Sequence, residues 1–175
     1  MKKIAIVDID GCLNYYPHCF LDWLSLTHNV EFPTYESFKQ FYGNEYIDIK
    51  NQYRLSGIKR KLQVRSGSKE FLNKLKQNHF HIYIVTSRHN IGNVYDDTRY
   101  WLINNNLNFD ELFFIKKKGD LVIHNPDALI YVIDDDINGL IPYSSYENAK
   151  LFYFNNSNDT NYTNINSIKS WEEII

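Results

Sequence analysis

Apolar residues recur along the 175-residue chain in two rhythms. Five short runs are almost continuously apolar: Ile4 to Val7, HIYIVTS ending near Thr86, ELFFI near Phe113, ALIYVIDDD ending near Asp134, and AKLFYF near Phe152. Runs of this length and β-prone composition suit parallel strands covered on both faces. Between them, SKEFLNKLKQN (residues 68–78) and NVYDDTRYWLINNN (residues 93–106) carry apolar residues three and four apart, which predicts helices. The alternation predicts an α/β class, a Rossmann-like three-layer sandwich with a mainly parallel central sheet. Ser66-Gly67-Ser68 offers capping and turn chemistry before the first of these helices, and Asn78 a stop.

One stretch breaks the alternation. From about Tyr15 to Val64 the segments FLDWLSL, YESFKQFYG and IDIKNQYRLSGIKRKL are more helical than strand-like, and they are too long for a βα loop. The expected organisation is a core made of residues 1–14 and 65–175, with residues 15–64 inserted as a small helical cap. Phe20, Trp23, Tyr35, Phe38, Phe41 and Tyr42 are expected to build that cap's own core. Near the other end, NNSNDTNYTNIN reads as a polar surface loop, followed by SIKSWEEII, whose Trp171 and Ile174 are expected to dock on the body.

Composition narrows the function. With 43% hydrophobic residues the chain suits one main domain. A net charge of −2 disfavours avid binding to duplex nucleic acid. No apolar run reaches the length of a membrane span, and Lys2 and Lys3 lead straight into a strand, so a cytoplasmic location is expected. Two cysteines, Cys12 and Cys19, are too few for a disulfide framework and are expected to be reduced. On that reading the Asn-X-Ser/Thr matches at Asn155, Asn158 and Asn161 carry no meaning. His18, His28, His79 and His81 lack metal-ligand spacing.

Candidate chemistry sits at the strand ends, where open parallel sheets bind ligands. The first strand ends in Asp8 and Asp10, which alternation points toward one volume while Ile9 points away. Two carboxylates about 4 Å apart repel by about 4 kcal/mol at an effective dielectric of about 20, so they call for a cation, a proton or a basic partner. The second strand ends in Thr86-Ser87-Arg88 and the fourth in Asp134-Asp135-Asp136, while Lys116-Lys117-Lys118 and Gly119 follow the third. Asp136 reads as a helix cap, and Lys116 and Lys117 as solvated charges. Arg54, Lys59, Arg60, Lys61 and Arg65 read mostly as a solvated helix face that also has the means to line a substrate pocket.

In order and spacing these residues resemble the haloacid dehalogenase-like phosphatase superfamily. Asp8-Ile9-Asp10-Gly11-Cys12 is similar to its first motif, YIVT ending at Thr86 to its second, a lysine among 116–118 to its third, and YVIDD at Asp134 and Asp135 to its fourth. Cys12 departs from the usual Thr. YRLSGIKRKL, VTSR, DTRYWL and SWEEI resemble the small nucleotidase-like members, including the 5'(3')-deoxyribonucleotidases. The resemblance implies a Mg2+-dependent phosphomonoesterase acting on a small phosphate ester, with nucleotides as the expected class. It implies Asp8 as nucleophile, Asp10 as general acid and base, and Thr86 and Lys118 as phosphoryl contacts. It implies Asp8, Asp135 and the Asp10 carbonyl as metal ligands, with Asp134 just outside. Lys118 is chosen because it adjoins Gly119; Ser87, Arg88 and Arg54 are the candidate substrate contacts. The alternatives are a 3'-end polynucleotide phosphatase, a phosphatase of another small metabolite, or a non-catalytic domain that binds phosphate ligands.

Overall fold

The computed structural model describes residues 2–118, 121, 127–154 and 162–174. Gly119 and the three Asn-X-Ser/Thr asparagines lie outside the described residues. Strands β1 (Lys3–Val7), β2 (His81–Thr86), β3 (Glu111–Phe114), β4 (Leu129–Asp134), β5 (Ala149–Phe154) and β6 (Ile165–Ile168) form one parallel sheet in the order β3-β2-β1-β4-β5-β6. β1 lies between β2 and β4, with Val7 beside Ile84 on one flank and Ile133 on the other. The chain builds one half of the sheet outward from β1 and then returns to build the other, which makes the C-terminal end of β1 the switch point where such folds bind ligands.

The period of two along β1 shows in the packing. Ala5 and Val7 join the core on one face with Phe71, Leu72, Trp101 and Trp171, whereas Ile4 and Ile6 join the other with Val132, Leu140 and Tyr143. Both faces are therefore covered, and the three-layer α/β architecture expected from the sequence is present. Helices α4 (Ser68–Gln77) and α5 (Val94–Asn104) lie where the spacing predicted them. The start of α4 is built differently from the expected capping. Gly67 is the N-cap at φ +81° with no side-chain cap bond, and a Cβ there would press on Glu172 and Trp171. The polar tail hides a strand, since β6 is only INSI at the sheet edge. Trp171 is buried beyond it, stacked on Phe71 at 4.5 Å between ring centroids, with Ile174 packed against the same core.

Residues between β1 and α4 fold into α1 (His18–His28), α2 (Tyr35–Tyr42), α3 (Tyr46–Leu55) and a 3-10 turn at Ile58–Lys61. An isolated bridge between Asn14 and Val64 ties the two ends of this stretch together. It has its own cluster of Phe20, Leu24, Phe38, Ile49 and Tyr53, in which the Phe20 ring meets Phe38 at 5.0 Å and Tyr53 at 5.1 Å. Phe41, expected in that cluster, is instead 71% exposed. Helix α6 (Ile137–Leu140) follows β4, and the Asp136 carboxylate accepts from the Asn138 amide as its cap. Among the described residues no helix is long and apolar enough to cross a membrane.

Candidate active site

The turn after β1 places both acids. Gly11 takes φ +86°, and a Cβ at that position would overlap the Asp135 carboxylate, so only glycine lets the turn pass this close to the end of β4. Asn14 then ties the turn down. Its Oδ1 accepts from the Tyr16 amide at 2.9 Å, and its Nδ2 donates to Asp10 Oδ1 at 2.8 Å. Asp8 and Asp10 consequently line one cavity of about 760 Å3, together with Thr86, Ser87, Arg88, Lys118, Asp135 and Arg54. The described structure brings together every predicted site residue except Asp134 as a wall of this cavity.

Asp134 is buried behind the wall. Its Oδ2 accepts from Lys118 Nζ at 2.6 Å and its Oδ1 from the Asp136 amide at 2.9 Å. Gly139 lets α6 lie against it, since a Cβ there would overlap the Asp134 carboxylate. Lys118 Nζ also lies 2.8 Å from Asp8 Oδ1, so one ammonium bridges the two acids. The structure thus places Asp134 as a partner of Lys118, not among the grouped ligand atoms. That group is Asp8, Cys12 and Asp135, whose ligand atoms all lie within 4.8 Å of one another.

Charge is unevenly balanced across the floor. Burial, with Asp134 and Asp10 adding to it, outweighs Lys118 and pushes the Asp8 carboxyl up to about 7. Burial and then the Asp8 and Asp134 charges push Asp135 up to about 9. Burial raises the Cys12 thiol as well, with Asp135 and Asp8 contributing. Asp10 behaves in the opposite way. Burial opposes its charge, but the Arg88 guanidinium and then Lys59 hold the carboxyl far below the usual carboxylate range. Arg88 grips it through two bonds, Nε to Oδ2 at 2.8 Å and Nη2 to Oδ1 at 2.6 Å, and is itself fixed by Nη1 donating to Thr98 Oγ1 at 2.8 Å. Lys59 Nζ stands 3.9 Å from Asp10 Oδ2, above the Tyr53 ring. Arg88, expected as a substrate contact, is in this structure engaged by Asp10.

Two participants escaped the sequence reading, and a third was named only within a longer basic run. Asn14 stands four residues after Asp10 and was not singled out. Lys59 sat in a basic run assigned mostly to solvent, yet it is 3% exposed. Lys50 lines the cavity beside Arg54, and their four-residue separation on α3 was the available signal. Of the other basic residues in that run, Arg60 pairs with Asp97 at 2.6 Å, and Arg65 lies over the Tyr15 and Phe154 rings.

No sequence-family model and no curated protein matches the chain. Solved structures do. The chain is similar to a HAD hydrolase, family IA, variant 3 from Entamoeba histolytica, with 16% identity and TM-score 0.58 over 99% of this chain and 95% of that one. It is similar to a HAD phosphatase from Thermococcus onnurineus, with 17% identity and TM-score 0.55 over 98% and 95%. A HAD-superfamily hydrolase from Ehrlichia chaffeensis matches with 14% identity and TM-score 0.53 over 99% and 95%. The fold is haloacid dehalogenase-like.

Proposed function

We propose that this protein is a Mg2+-dependent phosphomonoesterase working through an aspartyl phosphate on Asp8, with nucleotides as its substrate class. The observation that carries the reading is the convergence of Asp8, Asp10, Thr86, Lys118 and Asp135 from four segments onto one cavity at the switch point of the sheet. The donor set fits a hard divalent cation. Asp8 is buried and Asp135 half-buried, their ligand atoms are close, and burial together with the neighbouring carboxylates raises both carboxyls. Asp8, Asp135 and the carbonyl of Asp10 would hold Mg2+, which when bound neutralises charge on the phosphoryl group being transferred.

Asp8 attacks phosphorus with the carboxylate oxygen not held by Lys118, and the ester oxygen leaves. Lys118, fixed from behind by Asp134, and the Thr86 hydroxyl hold phosphoryl oxygens. Asp10 protonates the leaving oxygen and then takes a proton from the water that cleaves the acyl phosphate. In the arrangement described, Arg88, Lys59 and Asn14 keep Asp10 ionised and ready for the second of these jobs. Serving as the acid requires Arg88 to loosen its grip so that Asp10 takes up a proton from solvent before donating it, and an incoming phosphate dianion competes for that guanidinium. Residues 15–64 act as the cap, roofing the cavity with Tyr16, Lys50, Tyr53 and Arg54. The half-buried Tyr16 ring supplies apolar surface for a nucleoside. Work on small esters inside the cell is the corresponding setting.

The test is hydrolysis of p-nitrophenyl phosphate by the purified chain. Activity is expected with Mg2+, is lost with EDTA and returns when Mg2+ is restored. Undiminished activity in the chelator contradicts the metal assignment. No activity under any divalent cation favours a phosphate-binding domain without catalysis.

A further inference from the structure

The cavity holds more positive charge than one phosphoryl group requires. Its inner carboxylates Asp8, Asp10 and Asp135, with Asp134 behind the wall, are met by Lys118, Arg88 and Lys59 together with the divalent cation proposed above. Lys50, Arg54, Lys116 and Lys117 also line the cavity, and they stand outside that balance. Among the described residues none of these four forms an ion pair. Arg54 Nη1 donates at 2.7 Å to a neutral partner, the Asn51 side chain, and the Lys50 ammonium lies over the Tyr35 ring at 4.9 Å.

These cations come from different parts of the fold and meet. Lys50 and Arg54 are four residues apart on α3, whereas Lys116 follows β3. His89, after β2, feels all three. Its imidazole is held below its ordinary value by Arg54 first, then by burial, then by Lys116 and Lys50. Burial and then Arg54 likewise bring Lys50 down to about 8. Like charges gathered in this way repel one another; Asp10 and the exposed Asp136 share the cavity, but among the described residues neither forms an ion pair with these four, which leaves an anion as the natural partner. A guanidinium with ammonium groups beside it suits a phosphate, which accepts several charge-assisted bonds at once.

We infer that Lys50 and Arg54 of α3, with Lys116 opposite, form a second anion subsite, and that the preferred substrate carries a second phosphate beside the one hydrolysed. The inference rests on the phosphomonoesterase reading for the first phosphate and deepens it. Two sources offer this chemistry: a free nucleoside bisphosphate, or the last internucleotide phosphate of a strand that ends in a 3'-phosphate.

Binding to the Asp8→Asn protein in Mg2+ buffer, followed by calorimetry, tests it without turnover. Adenosine 3',5'-bisphosphate is compared with adenosine 5'-monophosphate, and thymidine dinucleotide 3'-phosphate with thymidine 3'-monophosphate. The second phosphate is expected to tighten binding by about tenfold or more in at least one pair, the size of one charge-assisted hydrogen bond. Tightening confined to the adenosine pair assigns the subsite to a free metabolite, and tightening with the dinucleotide assigns it to a strand end. Adding Arg54→Gln and Lys50→Gln is expected to bring each ratio toward one, because the loss falls mainly on the doubly phosphorylated ligand. Lys69→Gln with Lys74→Gln, which removes the same two charges from exposed positions of α4, is expected to keep the ratio. Equal binding within both pairs, or a ratio that survives the double substitution, overturns the subsite. An inactive wild-type protein in the p-nitrophenyl phosphate assay would strike the phosphatase reading and leave this binding result standing.

Discussion

Asp10 shows how far a residue's neighbours decide its chemistry. The same IVDIDG run supplies both acids, yet Asp8 is raised to about 7 while the guanidinium of Arg88 helps drive Asp10 far the other way. If Asp10 is both acid and base, Asp10→Asn should steepen the dependence of kcat/KM on leaving-group basicity, sparing aryl phosphates more than alkyl ones. Equal slopes in the two proteins would remove Asp10 from acid catalysis. Lys118 contacts Asp8 and Asp134 together, so Lys118→Ala should lower kcat by on the order of a hundredfold or more, whereas Lys116→Ala and Lys117→Ala should leave p-nitrophenyl phosphate turnover far less affected. Comparable losses in all three variants would show that the phosphoryl contact is misassigned. The acids were legible because a β-prone run that ends in two carboxylates conflicts with burial unless something uses them. Lys59 was legible only as one of several possible pocket cations. Its place beside Asp10 is set by how the 3-10 turn at Ile58–Lys61 folds back on the core, and no local spacing announces that.

At the scale of elements, strands buried on both faces announce themselves by composition, and β1, β2, β4 and β5 were read on that basis. β6 was not, because a four-residue edge strand with polar residues at its centre has no such run, and only pairing with β5 makes it a strand. The anchor beyond it was readable, since a lone Trp in a polar tail has little reason to be there unless it is buried. Trp171 lies between Phe71 and Phe154, with centroids at 4.5 and 4.9 Å. Trp171→Ala should therefore destabilise the chain by about 3–5 kcal/mol in urea unfolding. A change near zero would mean that the C-terminal segment is not part of the cooperative core. The site depends on the Gly11 turn as well as on the pairing of β1 with β4, since only a residue without a Cβ lets the turn pass so close to Asp135.

For the whole molecule, the acidic floor links metal, pH and stability. The folded-state values of Asp8 and Asp135, about 7 and about 9, lie above their ordinary value of 3.8. Between roughly pH 4 and those values the folded chain binds more protons than the unfolded one, so metal-free stability falls as pH rises. Asp10 is shifted the other way, and its contribution is already complete above its ordinary value. Mg2+ takes the ionised carboxylates and competes with protons, so the rise in Tm on adding saturating Mg2+ should be larger at pH 8 than at pH 6. An equal rise at both would place the ion away from Asp8 and Asp135. Most strands of the sheet were readable from their apolar runs, whereas the cluster of Lys50, Arg54 and Lys116 exists only once α3 and the segment after β3 line one cavity.

The central claim is that Asp8 carries the phosphoryl group. Rapid acid quench of the wild-type protein turning over p-nitrophenyl phosphate in Mg2+, followed by peptide mass mapping, tests it most directly. A phosphate adduct on the peptide containing Asp8 is the predicted result, absent with EDTA and absent from Asp8→Asn, which should also fall to background turnover. Phosphate release without any adduct, from an Asp8→Asn protein that still turns over, would contradict it.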